Sequence, residues 1–440
     1  MSTEAVSRAG KGAPASNVHL ELPSVIQDGL FIHSAILARG LDALVLPRQV
    51  LLSGVAGEEP GEVSFVHGIP QASTLAGVTY AQDKRIRRNL QARADLSIPE
   101  GATFSYRGLS DARLYAGRLG YPLVLKEAVG ENPTEQITGI TDADRFNSAV
   151  RELRMLPGKR SAAASSLTRS AYALTGLLDM EEDEDGNKLA AAATRFLVER
   201  EVRGTYMRFL LLGEEVVGML HFPEGTRRAG ASGDGAALTP RRLELAVETR
   251  RWKFLGKVRW EGGVHPGFVA IARRAMQAVP GLRLGYVDIV ATDMSLAPEE
   301  QSHWVVELSE RPRLEVFSRA EAGWGEQLAD RIVVFEAGRV GVPLGEIRDR
   351  VTLQLRAESV PDVKTFVPLL VTAARQLRLR GHASIDDPIE GTLDALVEGP
   401  PAAVATLAEA IMGGGLGGMR AIVLTERHTT VPVPDDFKQV

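Results

Sequence analysis

The stretch from Leu284 to Arg313 constrains this chain more than any other. Its first half, GYVDIV, alternates as a β-strand does and carries Asp288; its second half, HWVVELSERP, alternates again and carries Glu307. The polar run SLAPEEQS between them, with Pro298 inside it, reads as a hairpin connection. Neighbouring antiparallel strands that each present a carboxylate on one face can hold a hard, oxygen-seeking cation against the phosphates of a nucleotide, and Mg²⁺ suits such ligands. Any α/β protein has an occasional Asp or Glu on a strand, so the pair gains its meaning from the lysines upstream.

Lysine is scarce, with nine against 42 arginines. In a chain that otherwise uses Arg for positive charge, each remaining Lys is a candidate for a compact point charge, which suits a phosphate oxygen. Lys84 opens DKRIRRNLQARADLSIPEG, a helix followed by a turn into a strand, for which the other reading is a solvated basic helix face. Lys126 ends the apolar strand of GYPLVLKEAVGENPTEQITGI, where a charge is costly unless it has a partner.

Taken together, VDIVATDM followed by VVELSERPRL, the Asp83-Lys84 helix and the Lys126 strand resemble the ATP-grasp ligases, most nearly their cyanophycin-synthetase-like branch. The resemblance implies an α+β chain in which an ATP-grasp fold covers residues 83–345, after a disordered tail (1–17) and a shortened pre-grasp α/β region (18–82). It implies ATP and Mg²⁺ as cofactors, with Lys84 and Lys126 on the phosphates, the loop from Val129 to Gly139 closing over them, and Asp288, Glu307 and Ser309 as metal ligands. Ser309 stands where the family has Asn. The strand ending in Glu199, with the backbone near Arg200 and Val202, matches the hinge that binds adenine, and Tyr206 replaces the acidic residue that binds ribose. Arg208 and Arg311 are the implied catalytic residues, stabilising the transferring phosphoryl group and the tetrahedral oxyanion. The loop from His221 to Leu238, with Arg227 and Arg228, reads either as a mobile linker or as an arginine lid over an anionic substrate.

Residues 346–440 read strand, helix, strand, strand, helix, strand, the order of a ferredoxin-like unit. The spacing resembles acylphosphatase, but Phe366 stands at the position of the phosphate-cradling arginine and Ile385 at that of the catalytic asparagine. The resemblance therefore implies a module that has lost hydrolysis and serves packing, homodimerisation or substrate binding.

Composition narrows the rest. A net charge of −5 without a basic block argues against nucleic acid as a partner. Zero cysteines exclude thiolate sites, and the eight histidines are too scattered for zinc. No apolar run reaches the roughly 18 residues of a membrane span, so a cytoplasmic protein without membrane contact is expected. The acidic run from Asp179 to Asn187 reads as a solvated loop. The expected activity is an ATP-dependent carboxylate-amine ligation through an acyl phosphate, on small-molecule or peptide substrates, nearest in outline to the pheganomycin-type peptide ligases. The competing expectation is a non-catalytic nucleotide-binding or regulatory protein of the same fold.

Overall fold

A computed structural model describes residues 18–21, 27–59, 61–129, 136–155, 180–182, 188–190, 195–222, 241–242, 244–245 and 263–440. The expected tail, most of the acidic run, the centre of the loop from Val129 to Gly139, and Arg227 and Arg228 lie outside these residues. Among the described residues the chain mixes helices with mainly antiparallel sheets in two compact units. One comprises the described parts of 24–32 and 64–341, the other those of 1–23, 33–63 and 342–440.

In the larger unit, helix α1 (Leu75–Gln82) starts at Thr74, whose hydroxyl accepts the Gly77 N–H at 3.0 Å. Helix α2 (Lys84–Arg93) starts at Asp83, whose carboxylate accepts the Arg85 N–H at 2.9 Å and so satisfies one of the unpaired donors of the first turn. The acidic member of the Asp83-Lys84 pair is thus a helix cap.

A four-stranded antiparallel sheet follows: β1 (Gly101–Ser105), then helix α3 (Leu109–Leu119), β2 (Leu123–Glu127), β3 (Gln136–Ile140), helix α4 (Ala143–Met155) and β4 (Arg195–Arg200), in the order β1-β4-β2-β3. Alternation divides its residues. Leu123, Leu125, Phe196 and Val198 bury against α3 and α4 through Ala112, Ala116, Phe146 and Ala149. Lys126 and Glu199 turn to the opposite face.

The second sheet of this unit contains β5 (Thr205–Leu212), β6 (Glu215–Phe222), β7 (Leu284–Ala291) and β8 (His303–Ser309), with helix α5 (Pro266–Gln277) before β7. Its order is Arg241–Arg242, β6, β5, β7, β8, all antiparallel. Met207, Phe209, Leu211, Val287 and Ile289 form an apolar face packed on Phe268, Ala272 and Ala275 of α5. The other face is polar: Arg208 stands opposite Asp288, and Asp288 opposite Glu307. The stretch read as two carboxylate-bearing strands is β7 and β8, joined by a connection with a single 3-10 turn at Pro298–Glu300.

Gly204, just before β5, lies so close to β7 that a Cβ would meet the Ala291 carbonyl oxygen at 2.3 Å, and its φ of +149° already favours glycine. Gly204→Ala is expected to cost about 1–3 kcal/mol. Urea unfolding should show a lower midpoint with an unchanged slope.

After β8 come helices α6 (Leu314–Ala320) and α7 (Trp324–Val340), locked by an edge-on contact of Phe317 and Trp324 with centroids 5.0 Å apart. The buried Asp28 carboxylate accepts the N–H groups of Leu314 at 2.8 Å and Arg313 at 3.2 Å, which fixes the turn after Arg311. Burial, reinforced by Glu315, pushes the Asp28 carboxyl up to about 6.

The smaller unit carries β9 (Val351–Glu358), α8 (Val363–Gln376), β10 (Arg380–Asp387), β11 (Thr392–Gly399), α9 (Pro401–Gly413) and β12 (Val423–His428). Its strands lie antiparallel in the order β10-β11-β9-β12. Phe366 is fully buried on α8, and Ile385 is half-buried on β10. The sheet continues past β12 into strand Leu41–Leu46, with Ala43 opposite Glu426, and then into Val50–Val55. The expected boundaries at 82/83 and 345/346 differ from this division, because that pairing joins residues 33–63 to 342–440. The buried Glu426 carboxylate also bonds His33 at 2.5 Å within the same unit. No helix among the described residues is long and apolar enough to cross a membrane.

Candidate active site

The polar faces of the two sheets of the larger unit meet at Lys126. Its Nζ donates to the Val306 carbonyl of β8 at 3.2 Å, pairs with Glu199 of β4, and lies 4.0 Å from Glu307. Lys126 is 2% exposed, so it is a buried charge between sheets rather than a cation reaching to the surface. Glu199 holds a second cation, Arg88, at 3.0 Å.

Helix α2 supplies the rest of the positive charge. Lys84, Arg87, Arg88 and Gln91 recur at the i, i+3, i+4, i+7 spacing that puts side chains on one helix face, and Lys84, Arg87 and Gln91 are all buried. The Lys84 N–H donates to the Ala128 carbonyl at 2.9 Å, which brings the start of α2 against the end of β2. Arg87 grips β8 twice, donating to the Leu308 carbonyl and pairing with Glu307 at 2.5 Å. The basic stripe that could have been a solvated face is therefore covered. Sequence reasoning singled out Lys84 here but passed over Arg87 and Arg88, although the helical spacing of the three was on view.

Four cations, Lys84, Arg87, Arg88 and Lys126, gather around the two carboxylates Glu199 and Glu307. Burial works to raise the Glu307 carboxyl, but Arg87, then Lys84 and Lys126, hold it down to about 2 from an ordinary 4.5. It stays ionised, and its side chain is 22% exposed, so it has an open side. Burial and the neighbouring Arg87 outweigh Glu199 at Arg88 and bring its guanidinium below the ordinary value.

Arg208 is enclosed differently. Its Nε and Nη2 donate to the two oxygens of Asp288 at 2.8 Å each, and the Tyr206 hydroxyl donates to the same carboxylate. The guanidinium lies 3.6 Å above the Tyr286 ring and 5.4 Å from that of Phe222. Burial opposes its charge, yet Asp288 and then Tyr286 hold Arg208 well above the usual guanidinium range. Burial pushes the Tyr286 hydroxyl up.

The expected set of ligands for a shared cation divides at this point. Glu307 keeps an open side, and Ser309, two residues along the same strand, is buried with its hydroxyl accepting the Arg311 N–H at 3.3 Å. Asp288 is fully buried with both oxygens taken by Arg208. No group of three or more His, Asp or Glu side chains placed for a metal ion occurs among the described residues. Glu307 keeps an open side beyond its pair with Arg87, whereas both oxygens of Asp288 are occupied within the protein.

Along the expected hinge, the Arg200 N–H donates to the Glu100 carbonyl at 2.8 Å and the Glu201 N–H to the Pro122 carbonyl at 3.0 Å, which anchors the backbone leading to Val202. Glu199 serves through its carboxylate, as the partner of Lys126 and Arg88. Val202 joins Val290 and Val306 in a small apolar cluster bordered by Tyr206 and Trp304, beside the charged groups. Arg311 is buried in the turn after β8.

No protein-family model matches the sequence, and no curated protein matches it. Solved structures do align with the chain. A D-alanine–D-alanine ligase from Bacillus anthracis aligns at 12% identity over 61% of this chain and 71% of its own, with a TM-score of 0.39. VanG, a D-Ala:D-Ser ligase from Enterococcus faecalis, aligns at 15% identity over 60% of this chain and 64% of its own, with a TM-score of 0.38. A RimK-domain ATP-grasp protein from Sphaerobacter thermophilus aligns at 16% identity over 60% and 69%, with a TM-score of 0.33. At these scores the reading of the site rests on its own geometry.

Proposed function

We propose that the larger unit is an ATP-grasp domain that binds ATP with Mg²⁺ between its two sheets and joins a carboxylate to an amine, releasing ADP and phosphate. The observation that carries this is the gathering of four cations, the buried Lys84, Arg87 and Lys126 with Arg88 beside them, between two antiparallel sheets, with Glu307 open at its edge. Cations gathered in a partly closed site suit a polyanionic ligand, and a triphosphate is one. The apolar cluster of Val202, Val290 and Val306 with Tyr206 and Trp304 gives a flat base a dry surface beside the phosphates.

In this reading Lys84 and Lys126 neutralise the phosphate tail, and Glu307, with Ser309 beside it, holds the metal. Bound Mg²⁺ lowers the repulsion among phosphate oxygens. Arg208 stabilises the γ-phosphoryl group as it passes from ATP to a substrate carboxylate oxygen, giving an acyl phosphate and ADP. An amine then attacks the acyl carbon, phosphate leaves, and the nitrogen loses a proton; Arg311 donates to the oxyanion of that step. No side-chain nucleophile is needed, which suits a chain without cysteine.

Short peptides or amino acids are the proposed substrates. The smaller unit is read as ferredoxin-like with an appended strand pair, supported by its β10-β11-β9-β12 order. The burial of Phe366 fits a module without a phosphate cradle.

The test is ADP release on a panel of amino acids and short peptides, with mass detection of products. Turnover that needs both an acid and an amine is expected. ATP binding without turnover on any pair would favour the nucleotide-binding, non-catalytic alternative.

A further inference from the structure

Two carboxylates meet across β7 and β8, but their surroundings give them different work. Asp288 is fully buried and accepts three hydrogen bonds: Arg208 Nε on Oδ1 and Nη2 on Oδ2, each at 2.8 Å, and the Tyr206 hydroxyl on Oδ2. An ionised carboxylate has about four lone-pair directions, so three are spent on neighbours. Arg208 is opposite Asp288 in the register, Tyr206 is two residues away on the same strand face, and Tyr286 lies under the guanidinium at 3.6 Å. The side-on fork uses the Nε and Nη2 edge and leaves Nη1 and the second Nη2 hydrogen for another acceptor. Glu307, by contrast, gives Oε1 to Arg87 at 2.5 Å but keeps a 22% exposed side chain, with Oε2 4.0 Å from Lys126.

We propose that Asp288 is the positioning residue of Arg208, and that Glu307, not Asp288, is the carboxylate that meets the nucleotide's cation. The inference rests on the nucleotide reading above and assigns the division of labour within that site. Asp288, Tyr206 and Tyr286 hold the guanidinium in one place and one plane, so that its free N–H groups meet phosphoryl oxygens without reorganisation. Loss of the fork then acts on the rate and leaves the affinity for the cation in place.

The test uses the full chain with Mn²⁺ as a paramagnetic probe and a non-hydrolysable ATP analogue, read by electron spin resonance, beside ADP release. Asp288→Asn leaves Arg208 buried without its counter-charge and can fail to fold, so the double variant Asp288→Asn/Arg208→Met, which removes both charges together, is measured as well. In the double variant, Mn²⁺ affinity measured with each protein saturated by the analogue is expected to stay within about twofold of wild type, whatever the loss of Arg208 does to the affinity for the analogue itself. Glu307→Gln is expected to weaken it by about tenfold or more. ADP release should be no lower in the double variant than in Arg208→Met alone, since an anchor has nothing to do once its arginine is gone. Mn²⁺ binding weakened in the double variant as much as in Glu307→Gln, with the analogue still bound, overturns the assignment and leaves the nucleotide reading standing. Failure of wild type to bind the analogue at all removes the nucleotide reading, and this assignment with it.

Discussion

Lys126→Met is expected to lower ADP release by about 100-fold or more, because on the proposed nucleotide reading it removes a preorganised cation from a water-poor phosphate site. Methionine keeps most of the volume of a side chain that is 2% exposed, so the change is one of charge rather than of cavity. Glu199 loses one partner and keeps the other, Arg88 at 3.0 Å, which limits the damage to the fold. Alanine is the poorer choice, since the lysine is enclosed between two sheets and its deletion would leave a void. Binding of a non-hydrolysable ATP analogue, measured calorimetrically beside turnover, should weaken together with the rate. Turnover at the wild-type level would place the nucleotide elsewhere.

Arg87→Met should have the largest effect on stability, about 2–3 kcal/mol, below the range for a fully buried pair because Glu307 is 22% exposed and keeps Lys84 and Lys126 nearby. Arg87 bonds the Leu308 carbonyl and Glu307 together, so its loss removes a donor from that carbonyl and leaves Glu307 only the more distant charges of Lys84 and of Lys126, 4.0 Å away. The effect carries a pH signature. A carboxylate whose folded value is depressed contributes stability that is present above its ordinary 4.5 and is lost as pH falls from there through about 2. The deficit of Arg87→Met relative to wild type should be full at neutral pH and shrink across that window. Urea unfolding at several pH values checks it, and a deficit independent of pH would mean that Glu307 does not depend on Arg87.

The two carboxylate strands were legible because each alternates between a packed apolar face and a polar one, a pattern local to a few residues. Lys126 was legible for a related reason, as a charge at the end of an otherwise apolar strand. What covers a basic helix face is not a local property, so Arg87 and Arg88 were passed over until β8 and Glu199 were seen against them. The fork on Asp288 comes from Arg208, 80 residues earlier in the chain, and no periodicity reports that kind of pairing. The hinge strand was legible from its alternation, whereas the bond of the Arg200 N–H to the Glu100 carbonyl depends on where the preceding turn lies. The union of residues 33–63 with 342–440 was hidden for the same reason: Ala43 and Glu426 are neighbours only in the sheet.

The most direct measurement of the central claim is a crystal structure of the protein with Mg²⁺ and a non-hydrolysable ATP analogue. The account predicts the triphosphate between the two sheets, with Lys84 and Lys126 in hydrogen-bond reach of its oxygens, Lys126 drawn from Glu199, and Glu307 at the metal. A nucleotide bound away from Lys126, or a cleft that stays closed by the Lys126–Glu199 and Arg87–Glu307 pairs with saturating analogue present, would contradict it.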